Sequence, residues 1–220
     1  MGFMHHSFPM QIFRAYDIRG KVSLLNVSMV NAIAHGLAQQ YQSAGQTRVA
    51  IGYDARLSSP TYAHIIQRTL SLYAIEAHII GCCSSPMLYY TSREFDGNGI
   101  MITASHNPRE DNGIKWLIDN QPPCPEMIQE VGQEAQKYYS DELQQIDWIE
   151  HEIIPEYCLK YQQSIFNDIQ LKRRYRVVLD GLNGSAGRCA ALVLNKLGCD
   201  LTTIRTCLLY TSDAADDMQC

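Results

Sequence analysis

A serine able to carry a transferred group stands in the run Ser105-His106-Asn107-Pro108, followed a short way on by Asn112-Gly113-Ile114-Lys115. The apolar, β-branched stretch from Gly99 to Thr103 reads as a buried strand, and Asn107-Pro108 is a strong breaker, so Ser105 is expected just past a strand's carboxyl end. In open α/β sheets that end is where ligands bind. A serine hydroxyl is a weak nucleophile and needs activation. His106 adjoins it, but neighbours on an extended or turning backbone usually point apart. The Gly-x-Ser-x-Gly elbow of α/β-hydrolases is missing, because Thr103 and Asn107 occupy its glycine positions, which argues against serine hydrolysis. Phosphoryl transfer uses these residues together: Ser105 carries the group while a cation and Lys115 help by positioning and charge neutralisation. The same residues also admit a polar turn in which serine and asparagine only satisfy backbone groups.

Two upstream segments narrow that choice. Phe13-Arg14-Ala15-Tyr16-Asp17-Ile18-Arg19-Gly20 is dense in charge and aromatic character, and Gly52-Tyr53-Asp54-Ala55-Arg56-Leu57-Ser58-Ser59-Pro60 follows the strand-like Val49 to Ile51. Taken singly, each residue has an ordinary use. Arg19 could pair with Asp17, Tyr16 could pack half-buried, and Lys115 could be a solvated edge charge. Asp54 and Arg56 read as a loop salt bridge or a cap on the helix near Pro60, and Ser58 and Ser59 as helix-capping residues. With the three motifs in this order over about the first 120 residues, however, the chain resembles the α-D-phosphohexomutase family. The resemblance is closest to its bacterial phosphomannomutase/phosphoglucomutase branch. Asn112-Gly113-Ile114-Lys115, with isoleucine where that branch often has phenylalanine, is also similar to phosphoglucosamine mutase.

What the resemblance implies follows residue by residue. Ser105 matches the serine that is phosphorylated in the resting enzyme and donates its phosphoryl group to the sugar. His106 and Asn107 match its loop neighbours, and Lys115 matches the lysine that assists proton transfer or neutralises charge on the moving group. Tyr16 and Arg19 match first-loop residues lining the same cleft. The implied reaction interconverts hexose 1-phosphate and hexose 6-phosphate, of mannose or glucose, through a bisphosphorylated intermediate. Magnesium is the implied cofactor, held in part by the Ser105 phosphate, and a small phosphosugar is the implied partner. The family's Asp-x-Asp-x-Asp metal loop, sugar-selecting loop and phosphate-binding fourth domain do not occur in these residues. The resemblance therefore implies a mutase for the parent protein and an inactive 220-residue chain. A reading of another class, a non-catalytic phosphosugar-binding or interaction module, uses the same loops without turnover.

The elements that must position these loops alternate in type. Val30, Ile33, Ala34, Leu37, Ala38 and Tyr41 fall on one helical face, with Gly45 where a C-terminal cap is expected. A second helix opens at Pro60 with Tyr62, Ile66, Thr69, Leu70 and Tyr73 inward, and Ala77 to Ile80 reads as a strand. A short helix after Pro86, strands at Gly99–Thr103 and Ile114–Ile118, and an amphipathic helix from about Pro125 to Tyr139 complete the predicted unit. The expected fold is α/β: a three-layer α/β/α domain with a mixed sheet over residues 1–150, then the truncated start of a second, similar domain over 151–206. That second unit is expected to lead through Trp148 to Pro155 into a helix at Glu156–Asp168. A strand at Arg176–Asp180, a glycine-rich turn, a helix ending at Gly198 and a strand at Leu201–Ile204 should follow. The turn matches neither Gly-x-Gly-x-x-Gly nor a P-loop, so no nucleotide site is expected there. Residues 207–220 do not resemble the family, and Cys207 to Asp216 resemble the translation of a sequencing-library transposon end, so the tail reads as non-native. Natural sequence is therefore expected to stop near Thr206.

Composition excludes several classes. Of 220 residues 46% are hydrophobic, enough to fill a core, and the net charge of −5, with acidic residues in excess over the first 150, argues against nucleic acid. Lys172-Arg173-Arg174-Tyr175-Arg176 reads as a solvated connector. No apolar run approaches the ~20 residues of a bilayer span, so no membrane role is expected. The eight cysteines are dispersed without a Cys-x-x-Cys pair, which points to reduced thiols and a cytoplasmic setting. His5-His6 is too short to be a metal site, and oligomeric state leaves no mark in the sequence.

Overall fold

The computed structural model describes residues 8–140 and 155–208. In the first stretch the elements run β1 (Ile18–Lys21), α1 (Val27–Ser43), β2 (Arg48–Tyr53), α2 (Ser59–Ser71) and β3 (Glu76–Cys82). Then come α3 (Ser85–Thr91), β4 (Gly99–Ile102), β5 (Asp111–Leu117) and α4 (Pro125–Tyr138). The five strands form one sheet in the order β1-β5-β4-β2-β3. β2 pairs in parallel with both β3 and β4, whereas β5 runs antiparallel to β4 and β1, so the sheet is mixed.

Helices cover both faces, because the strands are apolar on both. Val49, Ile51, Ile100, Ile102, Ile114 and Ile18 point to the side covered by α1, α2 and α4, where they join Ile33, Leu37, Ile66 and Val131 in the larger core. Ala50, Ile80 and Met101 point the other way, onto Met87 and Leu88 of α3. That alternation is the strand's period of two, and each fully buried aliphatic side chain contributes about 1.5–3 kcal/mol. The α1 stripe lies as its spacing predicts: Val30, Ile33, Ala34, Leu37, Ala38 and Tyr41 are all buried. Asn26 caps the helix by accepting from the Met29 amide at 2.9 Å. Gly45, at φ +69°, ends it in the left-handed region that glycine adopts without strain.

Three local expectations are corrected. The first motif, read as a loop, contains strand β1, whose Ile18 and Arg19 pair with Ile114 and Gly113 of β5. Tyr73 lies beyond the end of α2, and its hydroxyl is 2.7 Å from His35 Nδ1 on α1. Ser58 and Ser59 do not cap α2 through their side chains. Both hydroxyls accept from the buried Asn112 Nδ2, at 2.7 and 3.0 Å, because Asn112 on β5 needs partners inside the core more than the helix end does.

The second stretch carries α5 (Pro155–Asp168), β6 (Arg176–Asp180), α6 (Gly187–Lys196) and β7 (Asp200–Ile204), with β6 and β7 parallel. Tyr157, Cys158 and Tyr161 of α5 pack against the smaller core beside α3. The expected domain boundary at 150/151, most of the Trp148–Pro155 segment, His5-His6 and residues 209–220 lie outside the described residues.

Candidate active site

Sheet topology brings the three motifs to one edge. Because β2 and β4 are parallel neighbours, their carboxyl ends lie side by side, and the Asp54 amide donates to the Ile102 carbonyl at 3.0 Å. The chain after β2 therefore runs beside the Ser105 loop. β5 returns antiparallel from that loop, and β1 pairs along it. Residues facing one another across an antiparallel pair project to the same face. Lys115 pairs with Met101, and Arg19 with Gly113, so Lys115 and Arg19 stand on the α3 side of the sheet, away from the larger core. Gly113 sits between them, and a Cβ there would come within 2.7 Å of the Ile18 carbonyl and 2.8 Å of the Thr103 carbonyl. Only glycine lets the three chains approach this closely.

Ser105 is solvent-exposed three residues beyond β4, with φ +58°. A non-glycine residue held in the left-handed region costs about 1–2 kcal/mol and persists only where surroundings impose it. Its amide donates to Thr103 Oγ1 at 2.8 Å. The turn also corrects the expectation that Ser105 and His106 point apart: Ser105 Oγ and His106 Nδ1 are 3.4 Å apart, at the outer limit of a hydrogen bond.

Behind the loop lies a charge cluster keyed on Asp17. One of its oxygens, Oδ2, meets Arg19 at 3.2 Å and Lys115 at 3.2 Å, while its side chain is only 3% exposed. Arg19 also donates to Asn107 Oδ1 at 3.0 Å, and Asn107 Nδ2 donates to Asp111 Oδ2 at 2.8 Å. The expected site residues Arg19, Lys115 and Asn107 are thus joined in one network, and Ser105 and His106 are joined to it through the loop backbone. Tyr16 is apart: it is 84% exposed, so it is no packing residue, and it presents its ring to solvent on the same motif. Lys115 is not an edge charge, since β5 lies between β1 and β4. The cluster is not fully satisfied. Asp17 Oδ1 and Arg19 Nε are buried without a partner among the described residues.

Two residues matter more than sequence reasoning allowed. Asp17 was visible only as a possible mate for Arg19, and its tie to Lys115 depends on the β1–β5 register. Arg56 does form the expected salt bridge, with Nε 3.0 Å from Asp54 Oδ2, but its other four N–H groups all go to carbonyls of the Ser105 loop. The only sequence cue was its place just after the strand Val49 to Ile51.

Two cations against the one buried carboxylate leave Arg19 and Lys115 with charge to offer a phosphoryl group, and an exposed serine beside an imidazole is where such a group would be carried. Magnesium fits less well. Among the described residues there is no group of three or more His, Cys, Asp or Glu side chains able to hold a metal, and the carboxylates of Asp17, Asp54 and Asp111 around the loop are already engaged, by Arg19 and Lys115, by Arg56 and Ser59, and by Asn107. These residues alone do not supply the oxygen-rich octahedral set that magnesium requires.

The family model described as "Phosphoglucomutase/phosphomannomutase, alpha/beta/alpha domain I" matches residues 10–142. Over 195 residues the chain is 33% identical to a phosphoglucomutase of Neisseria meningitidis serogroup A, covering 88% of this chain and 42% of that protein. Over 198 residues it is 31% identical to a phosphomannomutase/phosphoglucomutase of Pseudomonas aeruginosa, covering 89% of this chain and 42% of that protein. Among solved structures, a phosphoglucomutase/phosphomannomutase family protein from Burkholderia thailandensis superposes with a TM-score of 0.78 at 25% identity, over 90% of this chain and 44% of that one. The chain thus spans less than half the length of the relatives it matches.

Proposed function

The chain belongs to the phosphoglucomutase/phosphomannomutase family, and from that premise we propose that the complete protein is a phosphohexomutase with Ser105 as its phosphoryl carrier. The observation that carries this reading is Ser105 itself. It is exposed and held at φ +58° past the carboxyl end of β4, with Arg19, Asn107 and Lys115 tied into one network behind it.

In the forward step a hydroxyl of a hexose monophosphate attacks the phosphorus on Ser105. The new O–P bond forms on the sugar, the Oγ–P bond breaks, the sugar hydroxyl's proton leaves with a base, and the departing Ser105 oxygen takes up a proton to become the free hydroxyl. Lys115 and Arg19 offset the charge that develops on the equatorial oxygens. In the return step the other phosphate of the bisphosphorylated sugar passes to Ser105, whose hydroxyl must lose its proton. His106 Nδ1, at 3.4 Å, is positioned to accept it. Asn107 orients Arg19, and Tyr16, exposed beside this edge, supplies a face for the sugar ring. Hexose 1-phosphates and 6-phosphates of glucose or mannose are the proposed substrates. Magnesium dependence is general in the family; when bound, the cation would supply charge neutralisation at the Ser105 phosphate.

A coupled assay of glucose 1-phosphate and mannose 1-phosphate turnover by the complete protein tests the proposal, beside intact-mass measurement of Ser105 phosphorylation. Turnover should vanish in Ser105→Ala, together with the phosphatase-sensitive mass. Full activity in Ser105→Ala, or a phosphoryl group mapped to another residue, refutes it.

A further inference from the structure

Arg56 lies on a different strand end from Ser105, yet every donor of its guanidinium is spent on holding the Ser105 loop or on the carboxylate that steadies it. Nη2 donates to the carbonyls of Ser105 at 3.0 Å and Asn107 at 2.8 Å. Nη1 donates to those of Pro108 at 2.6 Å and Asp111 at 3.0 Å. Nε donates to Asp54 Oδ2 at 3.0 Å. An arginine has five N–H donors in a fixed planar fork, and all five are used here, one partner each. Asp54 is itself held, by the Arg56 amide at 3.1 Å and the Ser59 hydroxyl at 2.8 Å on Oδ1. The arginine is thereby locked at the base of the loop, with its side chain only 12% exposed.

We infer that Arg56, braced by Asp54, is a positioning residue for the phosphoryl carrier: it gathers four loop carbonyls onto one cation and so holds Ser105 in its left-handed conformation. The inference rests on the functional reading above and adds a residue to it. Its physical basis is simple. Carbonyl oxygens repel one another, so a turn that points four of them inward needs a multidentate cation at its centre. A planar trans peptide also sets C=O and the following N–H antiparallel. Fixing the Ser105 carbonyl on Arg56 therefore aims the His106 N–H out of the opposite side of the loop. Arg56 itself has no donor left for substrate, so it acts through Ser105 and the loop and not by contact.

The test uses the complete protein with Arg56→Ala and Arg56→Lys, read by hydrogen exchange of the peptide spanning residues 105 to 111 and by mutase kcat and KM. Arg56→Ala should speed loop exchange by ~10²-fold while strands β2 and β4 keep their protection. It should lower kcat by a similar ~10²-fold with KM nearly unchanged, since substrate contacts are intact. Guanidinium ion added at millimolar concentration should restore part of both losses in Arg56→Ala. Arg56→Lys, which keeps the charge and the Asp54 pair but has three donors instead of a five-donor fork, should fall between. A kcat within about threefold of wild type in Arg56→Ala overturns the inference. So does loss of protection across the whole domain with no rescue by guanidinium, which would make Arg56 merely structural. If the wild-type protein proves inactive, the phosphohexomutase reading fails, and the loop-exchange result still decides the role of Arg56.

Discussion

Replacing Asp17 with asparagine removes the one carboxylate that Arg19 and Lys115 share while keeping its shape. At 3.2 Å and an effective dielectric of about 20, each pair is worth about 5 kcal/mol of direct attraction. Most of that is offset by the cost of taking the carboxylate out of water, and Lys115 and Arg19 keep 34% and 22% of their side-chain exposure, so water partly stabilises them once the partner is gone. The expected net loss is about 2–4 kcal/mol, below the upper range for breaking a fully buried pair. Urea unfolding of wild type and Asp17→Asn at neutral pH measures it. A double-mutant cycle with Lys115→Met should return a coupling of about 1–2 kcal/mol. Because the Asp17 side chain is 3% exposed, the loss should change little between low and high salt, unlike a surface pair. A loss below about 0.5 kcal/mol, or no coupling between Asp17 and Lys115, would show the two cations to be solvated independently and the proposed network not to exist.

The remaining expectations concern the loop and two thiols shielded from water. Ser105→Gly removes the Cβ that makes φ +58° unfavourable and should raise unfolding stability by ~0.5–1 kcal/mol even as it removes the proposed phosphoryl carrier; a destabilised glycine variant would show that the loop is not strained. Burial pushes the Cys82 thiol up to about 12 and the Cys189 thiol up to about 11, from a usual 9.0. The folded state therefore holds these protons more tightly than the unfolded chain does. The stability they lend is complete below about pH 9 and is lost as pH rises through about 11 and then about 12. Urea midpoints in reducing buffer should hold level up to about pH 9 and fall above it; a midpoint that stays flat to pH 11 contradicts the shielding of the buried Cys82 and half-buried Cys189 thiols.

The contrast between Ser105 and Arg56 shows where sequence is informative and where it is not. Ser105 was legible because a strand, a breaker and a loop are local events, each written in a few neighbouring residues. The α1 stripe was legible for the same reason, through a period that Val30 to Tyr41 repeat. β1 was hidden because only four residues pair, and Arg19 and Gly20 among them look like a loop until β5 supplies their hydrogen bonds. Ser58 and Ser59 looked like caps because the competing partner, Asn112, lies on a strand far along the chain. Asp17 and Arg56 are the deepest cases. Asp17 could be paired with Arg19 by proximity alone, but its second cation arrives through a register that no spacing encodes. Arg56 is invisible in a different way, because its partners are backbone carbonyls, which every residue carries and no residue type announces. Side-chain identity marks which groups react; the atoms that hold them in place are drawn from the backbone common to all sequences. A residue such as Arg56, whose chemistry is spent wholly on backbone, can therefore be assigned to the site only after the parallel pairing of β2 with β4 has set it beside the loop.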